Sequence, residues 1–165
     1  MIQDGWQYRY RERGVTTLTT EPVPQCDFEA DKLQPRFAAT ISADVNAIRP
    51  VVDRVMQIIA EMKCGAGKGF EIELALQEAL ANAVVHGCGN DPSKKVEICV
   101  ACDESRGLLI VVRDPGPGFD PASIPSPIAG QRVFSEHGRG IFLISQLMDE
   151  VRFERGGTEI HMRKS

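Results

Sequence analysis

Partway through residues 70–113 the hydrophobic period changes, and that change limits the fold more than any other feature of the chain. In FEIELALQEALANAVV the apolar residues Ile72, Leu76, Ala79, Leu80, Ala83 and Val84 recur at spacings of three and four, the stripe of a helix with one buried side. After the turn GCGNDP come two strand-like runs, Val96 to Cys102 and Leu108 to Arg113, joined by DESRG in what reads as a hairpin. A helical stripe and a sheet face that follow one another so closely bury each other, which points to layered α+β architecture.

The flanks extend the same pattern. Phe37, Ala39 and Ile41 alternate in RFAATIS as a half-buried strand does, and Val51, Val55, Ile58 and Met62 mark a helix that starts near Asn46 with Pro50 in its first turn. The glycine-rich stretch Cys64 to Gly69 breaks the chain before the helix of about Phe70 to Val85. A third helix is expected over about Gly140 to Glu150, and a closing hairpin, Val151 to Glu154 and Thr158 to Arg163, turns at Gly156 and Gly157. The expected fold is therefore α+β, a two-layer sandwich of a mixed, mainly antiparallel sheet with helices on one face.

A chain of 165 residues holds one domain with a sizeable core. Residues 1–34 read as an N-terminal extension, arginine-rich over Tyr8 to Arg13 and threonine-rich over Thr16 to Thr20, so the domain is placed at 35–165. The net charge of −4 argues against nucleic acid as a direct partner, because duplex binding depends on a basic face. Apolar runs fall short of a membrane span, and MIQDGWQYRYRERG lacks the apolar segment of a secretory signal, so the expectation is a cytoplasmic protein with no membrane partner. Five cysteines, an odd number, fit reduced thiols better than a disulfide framework. Cys99 and Cys102 form a C-x-x-C, but three residues apart on a strand they face opposite sides and do not converge on a metal.

Chemistry-bearing residues gather at three places. On the central helix Glu71, Ala75, Glu78, Asn82 and His86 line a second face, where Asn82 is a poor helix former one turn from Glu78. Such a face alone is commonly just solvated. Its functional reading is an amide oxygen that ligates a hard cation beside a carboxylate that accepts a proton. In VVRDPGPGFD, a carboxylate at a strand end, Asp114, precedes Gly116 and Gly118, which permit close ligand approach; the acid can accept a hydrogen bond from an exocyclic amine. In EHGRGIFLISQLMDEV, Gly138 and Gly140 open a helix whose free N–H groups suit phosphate, with Arg139 as an added charge. Neither a Walker A loop nor a G-x-G-x-x-G after a strand is present.

In order and spacing these three stretches resemble the ATP-binding boxes of the GHKL superfamily, which includes histidine kinases, type II topoisomerases, mismatch-repair ATPases and a heat-shock chaperone. ELALQEALANAVVHG looks like the N box, DPGPGF the G1 box and HGRGIFLI the G2 box, and the likeness runs over roughly residues 36–163. The E-A-x-x-N-A-x-x-H-G form and the ending GGTEIHMRK look most like the anti-sigma factor serine/threonine kinases of bacterial partner switching, proteins of transcription regulation. That resemblance implies ATP and Mg2+ as cofactors, Asn82 as the magnesium ligand and Glu78 as general base for a serine or threonine hydroxyl. It implies Asp114 on the adenine amine with Thr158 in support, Gly116 and Gly118 shaping the base pocket, and Gly138, Arg139 and Gly140 by the phosphates. A mobile lid is implied over about Ala122 to Glu136, with Arg132 or Arg139 meeting the γ-phosphate, while His86 and His137 read as capping or packing residues.

The partners so implied are an anti-sigma factor antagonist as phosphorylated substrate, a sigma factor or analogous effector, and a second copy of the chain in a homodimer. Two rivals are a nucleotide-dependent sequestering module with little kinase activity and a histidine-kinase-like ATPase domain. Glu78 counts against the first, since a pure binder needs no base. The second would need a dimerising helix pair with a phospho-accepting histidine, and the helix before the N box is too short to supply one.

Overall fold

The computed structural model describes residues 7–10, 33, 35–65, 67–123 and 136–165. Strands β1 (Gln7–Tyr10), β2 (Pro35–Ser42), β3 (Lys95–Asp103), β4 (Gly107–Arg113), β5 (Glu150–Glu154) and β6 (Glu159–Lys164) form one six-stranded sheet in the order β1-β2-β3-β4-β6-β5. Every pairing is antiparallel, so the mainly antiparallel expectation is met without a parallel pair among the described strands. Helices α1 (Ile48–Met62), α2 (Gly69–Asn82) and α3 (Glu136–Leu147) pack with one face of this sheet to enclose the core.

The period-2 readings translate directly into that core. Phe37, Ala39 and Ile41 of β2 stand opposite Val100, Ile98 and Val96 of β3, and all six are buried. Ile98 and Val100 in turn oppose Val112 and Ile110 of β4, which oppose Ile160 and Met162 of β6. Residues i and i+2 share a face, so each strand contributes alternate side chains to rows that run across the sheet. Onto these rows α1 lowers Val51, Val55 and Ile58, and α2 lowers Ile72, Leu76 and Leu80, each with no measurable exposure. Asp44 caps the 3-10 turn Val45–Ala47 that leads into α1, its Oδ1 accepting from the Asn46 N–H at 2.8 Å. The end of α1 is a left-handed Lys63, φ 54°, followed by Gly65 at φ 71°.

Several expectations change. Ala75, assigned to the polar face of α2, is buried in the core, because alanine is small enough to extend the apolar stripe. Regular α2 ends at Asn82, and Ala83–Gly87 continue it as a π-helical turn in which the Cys88 N–H reaches back to the Ala83 carbonyl at 2.9 Å. Helix α3 begins at Glu136 rather than near Gly140, so Gly140 lies within the helix. Residues Gln7–Tyr10, from the segment read as an extension, pair with β2 as the outermost strand. The rest of that segment, apart from Leu33, lies outside the described residues, as do Cys26, Arg132 and most of the expected lid.

The expectation of reduced thiols is overturned. Cys64, after α1, and Cys102, on the core face of β3, are joined in a disulfide with their Cα atoms 6.0 Å apart. Cys99 is also disulfide-bonded, and Cys88 is a free, buried thiol. The two cysteines of the C-x-x-C do diverge as the strand period requires: Cys102 joins the core cluster and Cys99 does not. No helix among the described residues is long and apolar enough to cross a membrane.

Candidate functional site

The three chemistry-bearing stretches meet where the C-terminal end of α2, the end of β4 and the β5–β6 turn surround a cavity of about 280 Å³. Asn82, His86, Asp114 and Thr158 are its polar lining, and Ala79, Val112, Phe119, Ile141, Phe153 and Ile160 are apolar walls. A mostly apolar cleft with a few convergent polar groups is what a planar, polar-edged ligand requires.

At one end stands Asp114. Its backbone N–H donates to the Thr158 carbonyl at 2.9 Å, which continues the β4–β6 ladder by one residue, and its Oδ1 accepts from the Gly116 N–H at 2.8 Å. Burial raises its carboxyl above the ordinary 3.8, against the pull of that hydrogen bond and of Lys94. The surrounding backbone is close enough that only glycine fits. A methyl group on Gly116 would lie 2.2 Å from the Gly87 carbonyl oxygen, and one on Gly87 would lie 2.3 Å from the Asp114 carboxyl carbon. Gly118, at φ 72°, would bring a Cβ within 2.0 Å of the Gly156 carbonyl oxygen. The Phe119 N–H donates to that same oxygen at 3.0 Å, which pins the start of the loop after β4 to the β5–β6 turn. Thr158 lines the cavity and donates its hydroxyl to the Arg155 carbonyl at 2.9 Å, so its oxygen still has a lone pair for a ligand.

At the other end, Glu78 and Asn82 converge on Gly140. A Cβ there would lie 2.9 Å from Glu78 Oε2 and 3.2 Å from both amide atoms of Asn82. Here glycine serves the packing of α3 on α2, which explains why a helix interior tolerates it. Gly138 is buried and Arg139 exposed in the turn before; neither lines the cavity. The donor set suits a hard cation, since Glu78 and Asn82 offer oxygens side by side. Among the described residues no group of three or more His, Cys, Asp or Glu could hold a metal unaided. Magnesium is commonly held by one or two protein oxygens, with water and phosphate completing its octahedron, so these residues fit it.

Behind the base end, on the far face of the sheet, Glu159 is 4% exposed and holds Arg113, His161 and Arg155 together. Burial drives its carboxyl upward, but the hydrogen bonds from His161 and Arg113 outweigh burial and keep it below 4.5. This network fixes β4 against β6 one residue from Asp114 and from Thr158.

Of the residues singled out in the sequence, Asn82, His86, Asp114, Gly118 and Thr158 line the cavity and Glu78, Gly116 and Gly140 adjoin those residues, whereas Gly138 and Arg139 do not line it and Glu71 sits at the other end of α2. Sequence reasoning missed Gly87, Phe119 and Phe153, and it read His86 as a cap or packing residue although it is exposed at the cavity wall. Gly87 and Phe119 are the last residues of two recognised motifs, so steric need near Asp114 was a usable signal. Phe153, whose ring meets Phe119 edge-on at 5.1 Å, is far along the chain and carries no such signal.

The chain is 30% identical over 148 residues to the anti-sigma F factor of Geobacillus thermodenitrificans, covering 83% of this chain and 88% of that protein. It is 30% identical over 117 residues to the anti-sigma F factor of Geobacillus stearothermophilus, covering 67% and 79%. With the serine-protein kinase RsbW of Bacillus subtilis it shares 34% identity over 103 residues, 57% of this chain and 62% of that one. The model of the histidine kinase-like ATPase domain matches residues 41–164, which span the helices, the cavity and the last hairpin, and the chain belongs to that family.

Proposed function

We propose that the protein is an ATP- and magnesium-dependent serine/threonine protein kinase of the anti-sigma factor type. The observation that carries this reading is the convergence of Glu78 and Asn82 on Gly140 beside a cavity that Asn82 and the half-buried carboxylate of Asp114 line. The names of the relatives, anti-sigma F factor and serine-protein kinase, support the same role.

In this reading Asp114, ionised, accepts a hydrogen bond from the adenine amine, with Thr158 beside it, while Gly87, Gly116 and Gly118 keep the backbone close enough for the ring to lie between Phe119 and the apolar wall. The ring is anchored at one point and enclosed elsewhere, which orients the triphosphate toward α2. Asn82 Oδ1 would hold magnesium, which would supply charge neutralisation at the phosphates. Gly138, Arg139 and Gly140 face the phosphates from the first turns of α3. Glu78 takes the proton of a serine or threonine hydroxyl as that oxygen bonds to the γ-phosphorus, and the bond from phosphorus to the bridging oxygen of ADP breaks. The protein substrate is an anti-sigma factor antagonist. A sigma factor or analogous effector competes for the kinase, which acts as a homodimer in the cytoplasm, and residues 1–34 adjust partner binding.

Calorimetric titration with ATP and magnesium tests this. Asp114→Ala is expected to abolish binding and Asn82→Ala to remove its magnesium dependence. Glu78→Gln should bind within about twofold of wild type while phosphotransfer to an antagonist protein falls about 10²- to 10⁴-fold. Wild type that binds no adenine nucleotide at millimolar concentration would sink the reading. Normal binding with unchanged phosphotransfer in Glu78→Gln would remove only the base.

A further inference from the structure

The Cys64–Cys102 bond lies outside the nucleotide cavity and has no part in the proposed reaction. Cys102 stands in one cross-strand row with Leu108 and Lys164, the row beneath the N-terminal end of α2. Cys64 sits in the turn that leads into α2, flanked by left-handed Lys63, Gly65 and Gly67. A methyl group on Gly65 would lie 2.5 Å from the Ile72 side chain, so the turn is packed directly on α2. Beside it opens a groove of about 580 Å³ lined by Cys64, Lys63, Gly65, Met56 and Glu104, at whose wall Cys64 is 2% exposed, whereas Cys102 has no exposed surface. The groove leads to Cys64 only, and it carries one cation and one anion, complementary to the charged ends of a small amino-acid-derived thiol.

We propose that Cys64 and Cys102 form a reversible thiol–disulfide site that exchanges with small amino-acid-derived disulfides and sets how firmly the N-terminal end of α2 is held to the sheet. The exchange runs in two steps. The Cys64 thiolate attacks one sulfur of the small disulfide, forming a mixed disulfide and releasing one small thiolate. The Cys102 thiolate then attacks Cys64 Sγ, closing the protein bond and releasing the second small thiolate. Two protein thiols are oxidised, the small disulfide is reduced to two thiols, and these take up the two protons the cysteines lose. The bond closes a loop of 38 residues, a constraint on the unfolded chain expected to raise the melting temperature by about 10 °C.

The full chain is equilibrated in buffers of reduced and oxidised glutathione at several ratios, free thiols are alkylated, and peptides are mapped without reduction while melting is followed in parallel. A Cys64–Cys102 linked peptide that appears with oxidised glutathione, together with a melting temperature about 10 °C above that of the reduced protein, is the expected result. Because Cys99 is also disulfide-bonded, the Cys64→Ala/Cys102→Ala double variant is measured beside wild type and should lose most of that redox-dependent shift. The proposal is overturned if Cys64 and Cys102 are alkylated at every ratio, if glutathione remains on Cys64 without ring closure, or if the double variant keeps the whole shift. Should the double variant fail to fold, peptide mapping of wild type, which reads the Cys64–Cys102 bond itself, decides the matter alone. Neither readout involves nucleotide, so failure here and failure of the kinase reading are separate events.

Discussion

At its N-terminal end α2 is tied to the sheet through the row of Cys102, Leu108 and Lys164, whereas at its C-terminal end it leaves regular helical bonding over Ala83–Gly87 and faces a cavity. Lys164 Nζ, 7% exposed, reaches Glu71 Oε2 on the first turn of α2 at 2.7 Å, and also the Leu147 carbonyl and Asp149 at the end of α3. One residue thus joins the last strand to both helices. At the other end glycines let Asp114, Gly87 and Gly116 crowd together. On the proposed reading, stability and binding divide along a single helix, between its clasped end and the end that faces the cavity.

Breaking the binding end should give the largest effect on function. Gly116→Ala places a methyl group 2.2 Å from the Gly87 carbonyl oxygen, and either that backbone or Asp114 must move. ATP affinity is expected to fall at least about 100-fold, because a polar contact built for one geometry is lost when displaced. Calorimetry checks this; affinity within threefold of wild type would show that the glycines are not what shapes the base pocket.

Breaking the clasp should do the reverse. Lys164→Ala leaves Glu71 and Asp149 without their shared cation and the Leu147 carbonyl without a donor. Melting is expected roughly 6 °C lower, with ATP affinity at a temperature well below melting held within about twofold. Equal losses in both quantities would mean that the two ends of α2 are coupled rather than divided.

A smaller effect sharpens the comparison from the far face of the sheet. Glu159 is held below 4.5, so it binds fewer protons folded than unfolded over the acid range, and stability rises with pH there. Its contribution is complete above 4.5 and is lost as pH falls through the lower, folded value. Glu159→Gln should flatten the acid limb of melting temperature against pH while leaving the limb above pH 6 parallel to wild type. An unchanged acid limb would assign that dependence to other carboxylates.

Much of this was legible in the chain. The stripe of Ile72, Leu76, Leu80 and Val84 and the alternation of Phe37, Ala39 and Ile41 reached the core as read, since burial of one side is written into a period. The residues that meet at the cavity also stood out in the chain: Asn82 within a helix, Asp114 at a strand end and glycines where a side chain would serve better all depart from local preference. Ala75 was misread because a small apolar residue satisfies either face. The start of α3 was placed four residues late because Gly138 and Gly140 look like a helix boundary, when Gly140 is small in order to admit Glu78 and Asn82.

Three features depended on contacts between distant segments: the π-helical turn at Ala83–Gly87, the pairing of Cys64 with Cys102, and the seat of Phe153 beside Phe119. By itself the sequence determined which residues form helices and strands, which side of each is buried, and which polar groups have no structural excuse for their positions. Only the tertiary structure decided which of those groups meet, that a glycine clears space for a carboxylate from another element, and that two cysteines 38 positions apart become neighbours. The physical reason is range. Periodicity and turn chemistry act over a few residues and leave their mark locally, whereas close packing and cross-links depend on distances that exist only once the layers have come together.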